Sequence, residues 1–108
     1  MVLRLQQSLE TYIRQVNLTD FYYTYIIECK DGSYYTGYSN DPWKRFETHK
    51  AGKGAKYTKS HPPKKLVYIE RHKTKGAAMR KELMIKRLSR QQKTELINSR
   101  LQEGDRLL

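Results

Sequence analysis

The sequence is poor in the features that mark exported, disulfide-stabilised or membrane-spanning proteins. Its 108 residues include a single cysteine, Cys29, which cannot form an internal disulfide. No stretch holds the roughly 18 apolar residues of a membrane span, and residues 1–15 lack the uninterrupted apolar core of a secretory signal. The sequence therefore predicts a protein of a reducing cytoplasm, in which Cys29 is a small strand residue and not a nucleophile.

Acidic residues are also scarce, and the resulting positive charge is concentrated in one part of the chain. The 22 lysines and arginines against 11 acidic residues give a formal net charge of +11. Residues 1–20 sum to zero and residues 21–43 to −2, whereas residues 44–108 carry +13. A one-sided excess of this size predicts a polyanionic partner, with nucleic acid ahead of an anionic membrane.

Apolar residues make up only 37% of the chain, and nine tyrosines contribute to that fraction. Four of these tyrosines are expected to pack at the edge of the core: Tyr22, Tyr34, Tyr38 and Tyr68. A chain of this length forms one domain with a single modest core. In residues 1–20 the apolar side chains recur at helical spacing, which predicts an amphipathic helix laid against that domain. We therefore expect an N-terminal helix extension over residues 1–20, a folded domain over residues 21–101 and a frayed tail over residues 102–108.

The folded domain is expected to open with a β-hairpin. The run FYYTYIIEC, which starts at residue 21, is rich in aromatic and β-branched residues and predicts a strand. The Asp31-Gly32 pair suits the positive φ angles of a tight hairpin, and a second strand follows over about residues 33–39. Because Tyr25 lies on the first strand and Tyr35 on the returning one, the hairpin brings phenols from both strands together.

A helix is expected directly after the hairpin, because Asp41 is a good N-cap and Pro42 a good first helical residue. Within residues 42–50, Arg45 and His49 are four positions apart and so lie on one helix face. The side chains expected to point toward the core are Trp43, Phe46 and Ala51.

The second half of the chain predicts one more strand and two more helices. Residues 51–65 hold two glycines, two prolines and five lysines without an apolar period, which is typical of an exposed loop. A strand is expected over residues 66–71 and a helix over residues 74–88. Ser89 and Gln92 form a capping box that opens a last helix. The side chains expected on its buried side are Leu96, Ile97 and Leu101.

Hairpin phenols, an arginine and a histidine on one helix face and a lone Glu82 in a basic helix suggest chemistry at phosphoryl oxygens. The arrangement resembles the GIY-YIG nuclease family. Tyr23-Thr24-Tyr25 stands where that family has Gly-Ile-Tyr, and Tyr35-Thr36-Gly37 stands where it has Tyr-Ile-Gly. Beyond the second triplet, the functional positions of the family are matched by Arg45 (the catalytic arginine), His49 (a conserved His or Tyr) and Glu82 (the metal-binding glutamate).

This resemblance covers about residues 22–97 and is closest to the small single-domain bacterial members of the family. Their GKGAKYT and P-x-x-L-V-Y-x-E stretches stand here at residues 52–58 and 63–70. The chain departs from the family in having Tyr23 for the first glycine. It also has Lys93 and Thr94 where many relatives carry an asparagine.

The resemblance implies an α/β (α+β) fold, with a small three-stranded antiparallel sheet flanked by helices, and hydrolysis of a phosphodiester with one divalent cation. Arg45 would stabilise the negative charge that develops on the phosphoryl oxygens. Glu82 would supply one carboxylate oxygen to Mg²⁺, with Mn²⁺ as a substitute. Gly37 would let backbone approach the substrate closely.

Activation of the attacking water is the harder step, because a phenol has an ordinary pKa of about 10. We expect Arg45 and the basic field to lower the phenol pKa. Tyr25 and Tyr35 are both candidate bases, and the sequence does not choose between them. His49 could assist as a hydrogen-bond partner or a proton acceptor.

The leading hypothesis is thus a Mg²⁺-dependent endonuclease that acts on DNA, at branched or damaged structures or in repair. The alternative is a nucleic-acid-binding module of the same fold, bound to DNA or structured RNA, that has lost catalysis; binding to anionic lipid is a distant third. His61 and His72 have no partner at ligand spacing, so zinc is not expected. The lysines expected to contact backbone phosphates are Lys44, Lys53, Lys56, Lys59, Lys64, Lys65 and Lys86.

Overall fold

The computed structural model describes residues 21–102, without the side chains of the last two. The amphipathic helix predicted over residues 1–20, nearly all of the predicted tail and the predicted burial of Leu101 lie outside what is described. The strands are β1 (Tyr22–Cys29), β2 (Tyr34–Ser39) and β3 (Pro63–His72). The helices are α1 (Pro42–Lys50), α2 (Lys56–Ser60), α3 (Lys75–Lys86) and α4 (Arg90–Gln102).

The three strands form one antiparallel sheet in the order β2-β1-β3, with β1 in the centre. The β1–β2 turn contains Gly32 at φ +86°, a conformation that glycine adopts without steric cost. Asp31 supports the turn by accepting a 3.0 Å hydrogen bond from the Ser33 amide. The register places Tyr25 opposite Gly37 and Ile27 opposite Tyr35. The three-stranded antiparallel sheet and the α+β class predicted from the sequence are confirmed.

Each face of the sheet has its own apolar cluster, because alternate residues of β1 point to opposite sides. One cluster holds Tyr25, Ile27 and Ile69, with Phe46 of α1 packed against it. The other holds Ile26 with Ile85 of α3 and Ile97 of α4. A fully buried side chain of this size contributes about 1.5–3 kcal/mol. These contacts therefore fix α1 on one face of the sheet and the two C-terminal helices on the other.

The helix starts follow the capping chemistry of the sequence. At α1, Asp41 accepts a 3.1 Å hydrogen bond from the Lys44 amide, and Pro42 is the first helical residue. At α4, the Ser89 hydroxyl accepts from the Gln92 amide at 3.2 Å, and the Gln92 side chain accepts from the Ser89 amide at 2.9 Å. The predicted capping box is confirmed, and each pair satisfies amide donors that a helix leaves free at its N-terminus.

The structure corrects the expectation of an exposed loop over residues 51–65. That stretch contains the short helix α2, and β3 begins at Pro63, earlier than expected. Helix α2 has no apolar period because its one buried side chain, Thr58, is polar and packs against His49. A pattern search for apolar periodicity cannot detect such a helix.

Three side chains also lie elsewhere than expected. Trp43 is 42% exposed, and its ring meets that of Tyr23 edge-on, with centroids 5.7 Å apart. Ala51 is exposed at the end of α1. Tyr68 was expected at the edge of the core but is 1% exposed, with its hydroxyl bonded to Glu70.

Within residues 21–102, no helix combines the length and the apolar character needed to cross a membrane.

Candidate active site

The candidate site lies where the β1–β2 hairpin meets α1. The ring of His49 on α1 is fully buried, with its centroid 5.0 Å from that of Tyr35 and 6.1 Å from that of Tyr25. The two tyrosine rings lie 6.4 Å apart across the hairpin, where Tyr25 is almost wholly buried and Tyr35 is partly exposed. The structure therefore groups three of the predicted site residues into one aromatic cluster.

Within this cluster, the Tyr25 hydroxyl and Nε2 of His49 form a buried hydrogen bond of 3.0 Å. Gly37 makes this geometry possible, because a β-carbon added there would stand 2.6 Å from the Tyr25 phenol oxygen and 2.8 Å from Cζ. The space that Gly37 leaves open is thus filled by Tyr25. The substrate approach predicted for Gly37 stays a prediction, and the observed reason for a glycine there is the position of the phenol.

The other side of His49 contacts residues that the sequence analysis did not single out. Nδ1 of His49 lies 2.8 Å from the Thr58 hydroxyl oxygen, and Thr58 is 2% exposed. Gly54 lies directly against the ring, since a β-carbon added there would be 2.8 Å from Cγ and Cε1. Both residues belong to the GKGAKYT stretch. That family-like stretch is the signal that points to both residues, although its lysines and glycines predict an exposed loop.

Arg45 lies one turn before His49 on the same face of α1, and its positive charge affects the members of the aromatic cluster. Its guanidinium lies close enough to lower the pKa of the Tyr25 phenol, and its charge also reaches Tyr35 and His49. The predicted grouping of Arg45 and His49 with the hairpin phenols is present.

The protonation states differ from the sequence expectation. Burial raises the pKa of Tyr25 and the pKa of Tyr35, and the lowering effect of the Arg45 charge is smaller than that of burial. Burial, assisted by the Arg45 charge, lowers the pKa of His49 from 6.5 to about 4. The expectation of lowered phenol pKa values was therefore wrong. At neutral pH both phenols are protonated, and His49 is a neutral imidazole able to accept a proton.

Glu82 comes from α3, which packs across β1 and β2. The carboxylate is close enough to affect the pKa of both Tyr25 and Tyr35, and its side chain is 14% exposed. Its Oε2 also lies 3.1 Å from Nζ of Lys86, one helical turn away. The fold thus brings Glu82 into electrostatic contact with the hairpin phenols, while the same carboxylate is also paired with Lys86.

The donor set around Glu82 fits a largely hydrated cation. Among the described residues, no three His, Cys, Asp or Glu side chains are grouped so that they could hold a metal ion. Mg²⁺ is commonly held by one or two carboxylates, with water and substrate phosphate as the other ligands. A single, partly buried carboxylate that acts on the same phenols as Arg45 matches that pattern, so Glu82 is the residue that would hold the ion.

A family model for the GIY-YIG catalytic domain matches residues 21–95 of this chain. The chain belongs to the GIY-YIG family. It is 53% identical over 79 residues to a UPF0213 protein of Staphylococcus haemolyticus, a match that covers 73% of this chain and 96% of that relative. A UPF0213 protein of Bacillus cereus is 54% identical over 71 residues, which are 66% of this chain and 74% of the relative.

One solved structure, the solution NMR structure of a UPF0213 protein from Bacillus halodurans, is also similar. It is 46% identical, with a TM-score of 0.49, and the match covers 79% of this chain and 88% of that one. Membership of the GIY-YIG family makes this a nuclease-type domain, for which nucleic acid is the substrate to be bound. The names of the UPF0213 relatives state no reaction.

The lysines predicted to contact nucleic acid are all exposed in this GIY-YIG domain. Four of them, Lys44, Lys53, Lys56 and Lys59, lie on α1, on α2 or between them. Lys64 and Lys65 lie on β3, where Lys65 is 3.8 Å from a Glu28 oxygen. Lys86 pairs with Glu82. The lysines of the α1–α2 segment are thus the ones carried by the same part of the chain as Arg45 and His49.

Tyr57 on α2 extends the aromatic cluster of the GIY-YIG domain toward solvent. Its ring is stacked at 25° to Tyr35, with centroids 6.1 Å apart, and at 15° to His61, with centroids 4.1 Å apart. His61 in turn lies 2.5 Å from the Asp31 carboxylate in the hairpin turn. No pattern in the sequence points to Tyr57, because a lone tyrosine among lysines carries no spacing signal.

Proposed function

We propose that this GIY-YIG domain is a Mg²⁺-dependent endonuclease that hydrolyses phosphodiester bonds in DNA. The observation that supports this most strongly is the 3.0 Å hydrogen bond between Tyr25 and a neutral His49, with Arg45 and Glu82 acting on the same phenol. This set combines a proton acceptor, a permanent positive charge and a carboxylate at one point, as phosphodiester hydrolysis requires.

Arg45 stabilises the phosphoryl group in this proposal. Negative charge grows on the non-bridging oxygens as water attacks phosphorus, and a planar guanidinium can donate two parallel hydrogen bonds to two of them. Arg45 is held near Tyr25 and remains partly exposed, so that it can reach a phosphate outside the core.

Tyr25 and His49 remove the proton from the attacking water. A neutral phenol has no free negative charge, but it can pass its own proton to Nε2 of His49 as it takes one from water. Among the described residues, Tyr35 has no side-chain acceptor of this kind for its hydroxyl proton. The hydrogen bond between Tyr25 and His49 therefore favours Tyr25 as the base. In this proposal Tyr35 lies beside it and contacts the substrate.

Glu82 would hold the divalent cation, for which Mn²⁺ is an expected substitute. When bound, the ion supplies positive charge at the phosphoryl and leaving-group oxygens. Glu82 itself keeps a negative charge near the two phenols, which favours their protonated forms until substrate binds. Lys86 must give up at least part of its ion pair with Glu82 for the carboxylate to bind a cation.

DNA is proposed over RNA as the substrate, with branched or damaged duplexes as the structures to test first. The exposed lysines of the α1–α2 segment supply backbone-phosphate contacts that do not depend on base sequence. A structure-selective repair role is consistent with recognition through backbone and shape alone.

The proposal is tested by incubating the full-length protein with labelled duplex, branched and single-stranded DNA and with structured RNA, in Mg²⁺, Mn²⁺ or EDTA. Cleavage is expected with either metal and not with EDTA. Arg45→Ala and Glu82→Gln should abolish it, whereas Glu95→Gln, which neutralises an exposed carboxylate on α4, should not. Failure of the wild-type protein to cut any substrate, or undiminished cutting by the first two variants, would refute the endonuclease.

A non-catalytic nucleic-acid-binding module is the second candidate, and the Glu82–Lys86 ion pair is the observation that favours it. A carboxylate that stays paired with Lys86 at 3.1 Å is not available to a cation. This alternative predicts salt-sensitive binding of DNA or structured RNA that is unaffected by EDTA or by Glu82→Gln, together with no cleavage under any metal condition.

A further inference from the structure

Both ring nitrogens of His49 have hydrogen-bond partners. For the contact on the side away from Tyr25, the donor and the acceptor can be assigned. Nδ1 lies 2.8 Å from the Thr58 hydroxyl oxygen, and both side chains are almost wholly buried. A buried contact of this length in a polar pocket fixes how the two groups share protons.

The direction follows from counting protons on Thr58. The Thr58 hydroxyl donates its one proton to the Ala55 carbonyl at 2.9 Å. Its oxygen can then only accept from His49, so the proton of the neutral imidazole is on Nδ1. Nε2 is left without a proton, and it faces the Tyr25 hydroxyl at 3.0 Å as an acceptor.

The opposite tautomer leaves the buried phenol proton of Tyr25 without a partner. With the proton on Nε2, His49 would donate to the Tyr25 oxygen, and no other described side chain accepts the phenol proton. Thr58 would have to turn its proton toward Nδ1, which leaves the Ala55 carbonyl with the longer hydrogen bond from the Lys59 amide, at 3.3 Å. The one contact that this tautomer would improve, from the Ala55 amide to Nδ1, is long at 3.4 Å. An unpaired buried polar group costs about 1–3 kcal/mol, which outweighs one weak contact.

We propose that Thr58 is a positioning residue that holds His49 in its Nδ1–H tautomer and so directs a bare Nε2 at Tyr25. The tautomer is a property of the folded protein, and its kinetic consequence rests on the endonuclease proposed above. During hydrolysis, the water oxygen bonds to phosphorus and its proton goes to the Tyr25 oxygen, while the Tyr25 proton goes to Nε2. The bond from phosphorus to the leaving oxygen breaks, and that oxygen takes a proton from solvent. His49 then returns its extra proton to solvent.

Gly54 completes the same arrangement. Any larger residue would place a β-carbon against the His49 ring, 2.8 Å from Cγ and Cε1, and would push the ring off its contacts. The GKGAKYT stretch therefore holds a catalytic imidazole in place, with Gly54 on its face and Thr58 at its edge. This role goes beyond phosphate binding by the lysines of the same stretch.

The tautomer is measured directly by long-range ¹H–¹⁵N correlation spectra of the full-length ¹⁵N-labelled protein at neutral pH, without DNA. The His49 signals are assigned by their loss in His49→Gln. We expect Nδ1 to be protonated and Nε2 to be bare in the wild type. In Thr58→Val, which keeps the shape and removes the hydroxyl, we expect a shift toward Nε2–H. Thr58→Ser should restore the wild-type pattern.

A protonated Nε2 in the wild type, or an unchanged tautomer in Thr58→Val, would overturn the assignment. The kinetic arm compares the same proteins in DNA cleavage. Thr58→Val should lower kcat about 10- to 100-fold with little change in KM, and Thr58→Ser should recover most of the loss. If Ser and Val variants lose kcat equally, the hydroxyl is not what positions His49. If the tautomer depends on Thr58 but the protein cuts no DNA, the tautomer assignment is supported and only the endonuclease proposal is refuted.

Discussion

The Tyr25 phenol lies directly beside the α-carbon of Gly37 on the neighbouring strand, at a distance that leaves no room for a β-carbon. This relationship connects the two tyrosine-containing triplets of the sequence. Tyr25 ends the first triplet and Gly37 ends the second, and the antiparallel register places them opposite each other. The glycine of the second triplet is therefore needed so that the tyrosine of the first can reach His49.

Gly37→Ala should displace the Tyr25 phenol and remove its hydrogen bond with His49. The added β-carbon would stand 2.6 Å from the phenol oxygen, and overpacking of this kind costs about 1–3 kcal/mol of stability. We expect cleavage to fall about 100-fold or more, because small displacements of a reacting group are costly. Gly76→Ala is the matched control: it lies in an exposed turn of α3, where the nearest atom is the flexible end of Arg80 at 3.3 Å. If both variants cut DNA equally well, Tyr25 does not need its observed position.

Tyr25→Phe and Tyr35→Phe should separate the two candidate bases. Tyr25→Phe removes the group that exchanges a proton with His49, and loss of a general base lowers the rate about 10²- to 10⁴-fold. Tyr35→Phe should lower the rate less than about tenfold, because no proton acceptor is bonded to its hydroxyl in the described structure. Single-turnover cleavage at saturating protein gives both rates. A larger loss in Tyr35→Phe would transfer the base to Tyr35, the more exposed of the two phenols.

The buried His49 should make the protein less stable as the pH falls from about 6.5 to about 4. The folded-state pKa of His49 is lowered to about 4, so over this range the unfolded chain binds a proton that the folded chain does not. The free energy of unfolding should drop by up to ~3 kcal/mol across the window. Urea unfolding at several pH values measures it. His49→Gln should flatten this part of the curve, and parallel curves for the two proteins would show that His49 is not held neutral.

Lys86 competes with a cation for Glu82, so Lys86→Gln should tighten metal binding. The Lys86 end of this ion pair is exposed to solvent, and such a pair contributes about 1 kcal/mol, which corresponds to about a fivefold lower Kd. Mn²⁺ binding to the DNA-free protein, followed by electron paramagnetic resonance, gives the affinity without an activity assay. Lys50→Gln is the matched control, since it breaks a similar 3.1 Å pair, with Glu47 on α1. If Lys86→Gln and Lys50→Gln change the Mn²⁺ affinity equally, or if Glu82→Gln still binds Mn²⁺, the cation does not bind at Glu82.

The hairpin, the start of α1 and the shared face of Arg45 and His49 could be predicted from the residues because their determinants are local. The three-stranded sheet and the position of Glu82 depend on distant parts of the chain, and they were expected only from the family resemblance. The Asp31-Gly32 turn sets the hairpin, and the cap formed by Asp41 and Pro42 sets where α1 begins. Spacing along α1 then fixes Arg45 and His49 on one face. Each of these choices depends on neighbours within a few residues, so a single chain contains enough information to make them.

The errors concern properties that only the assembled structure determines. The pKa of Tyr25 depends on competition between burial and the Arg45 charge, and the extent of burial cannot be counted from a sequence. Helix α2 escaped detection because Thr58 is held by His49, nine residues earlier in the chain, and not by an apolar face. Trp43 was expected in the core from its chemistry, although its helix position turns it to the rim.

Lys53 and Lys56 should contribute to DNA affinity through counterion release. Affinity for duplex DNA falls as salt rises, and each phosphate contact makes the plot of log affinity against log salt steeper by about 0.9. Lys53→Gln with Lys56→Gln should therefore make that plot shallower by about 1.8. The measurement is fluorescence anisotropy on labelled duplex in EDTA, where cleavage is not expected. The matched control is Lys73→Gln with Lys75→Gln, which removes the same charge from exposed positions just before α3 and at its first residue. If the two double variants lower the slope equally, binding follows net charge and not the surface beside Arg45 and His49. A selective loss in the first would place the DNA backbone on the same segment that carries the proposed base.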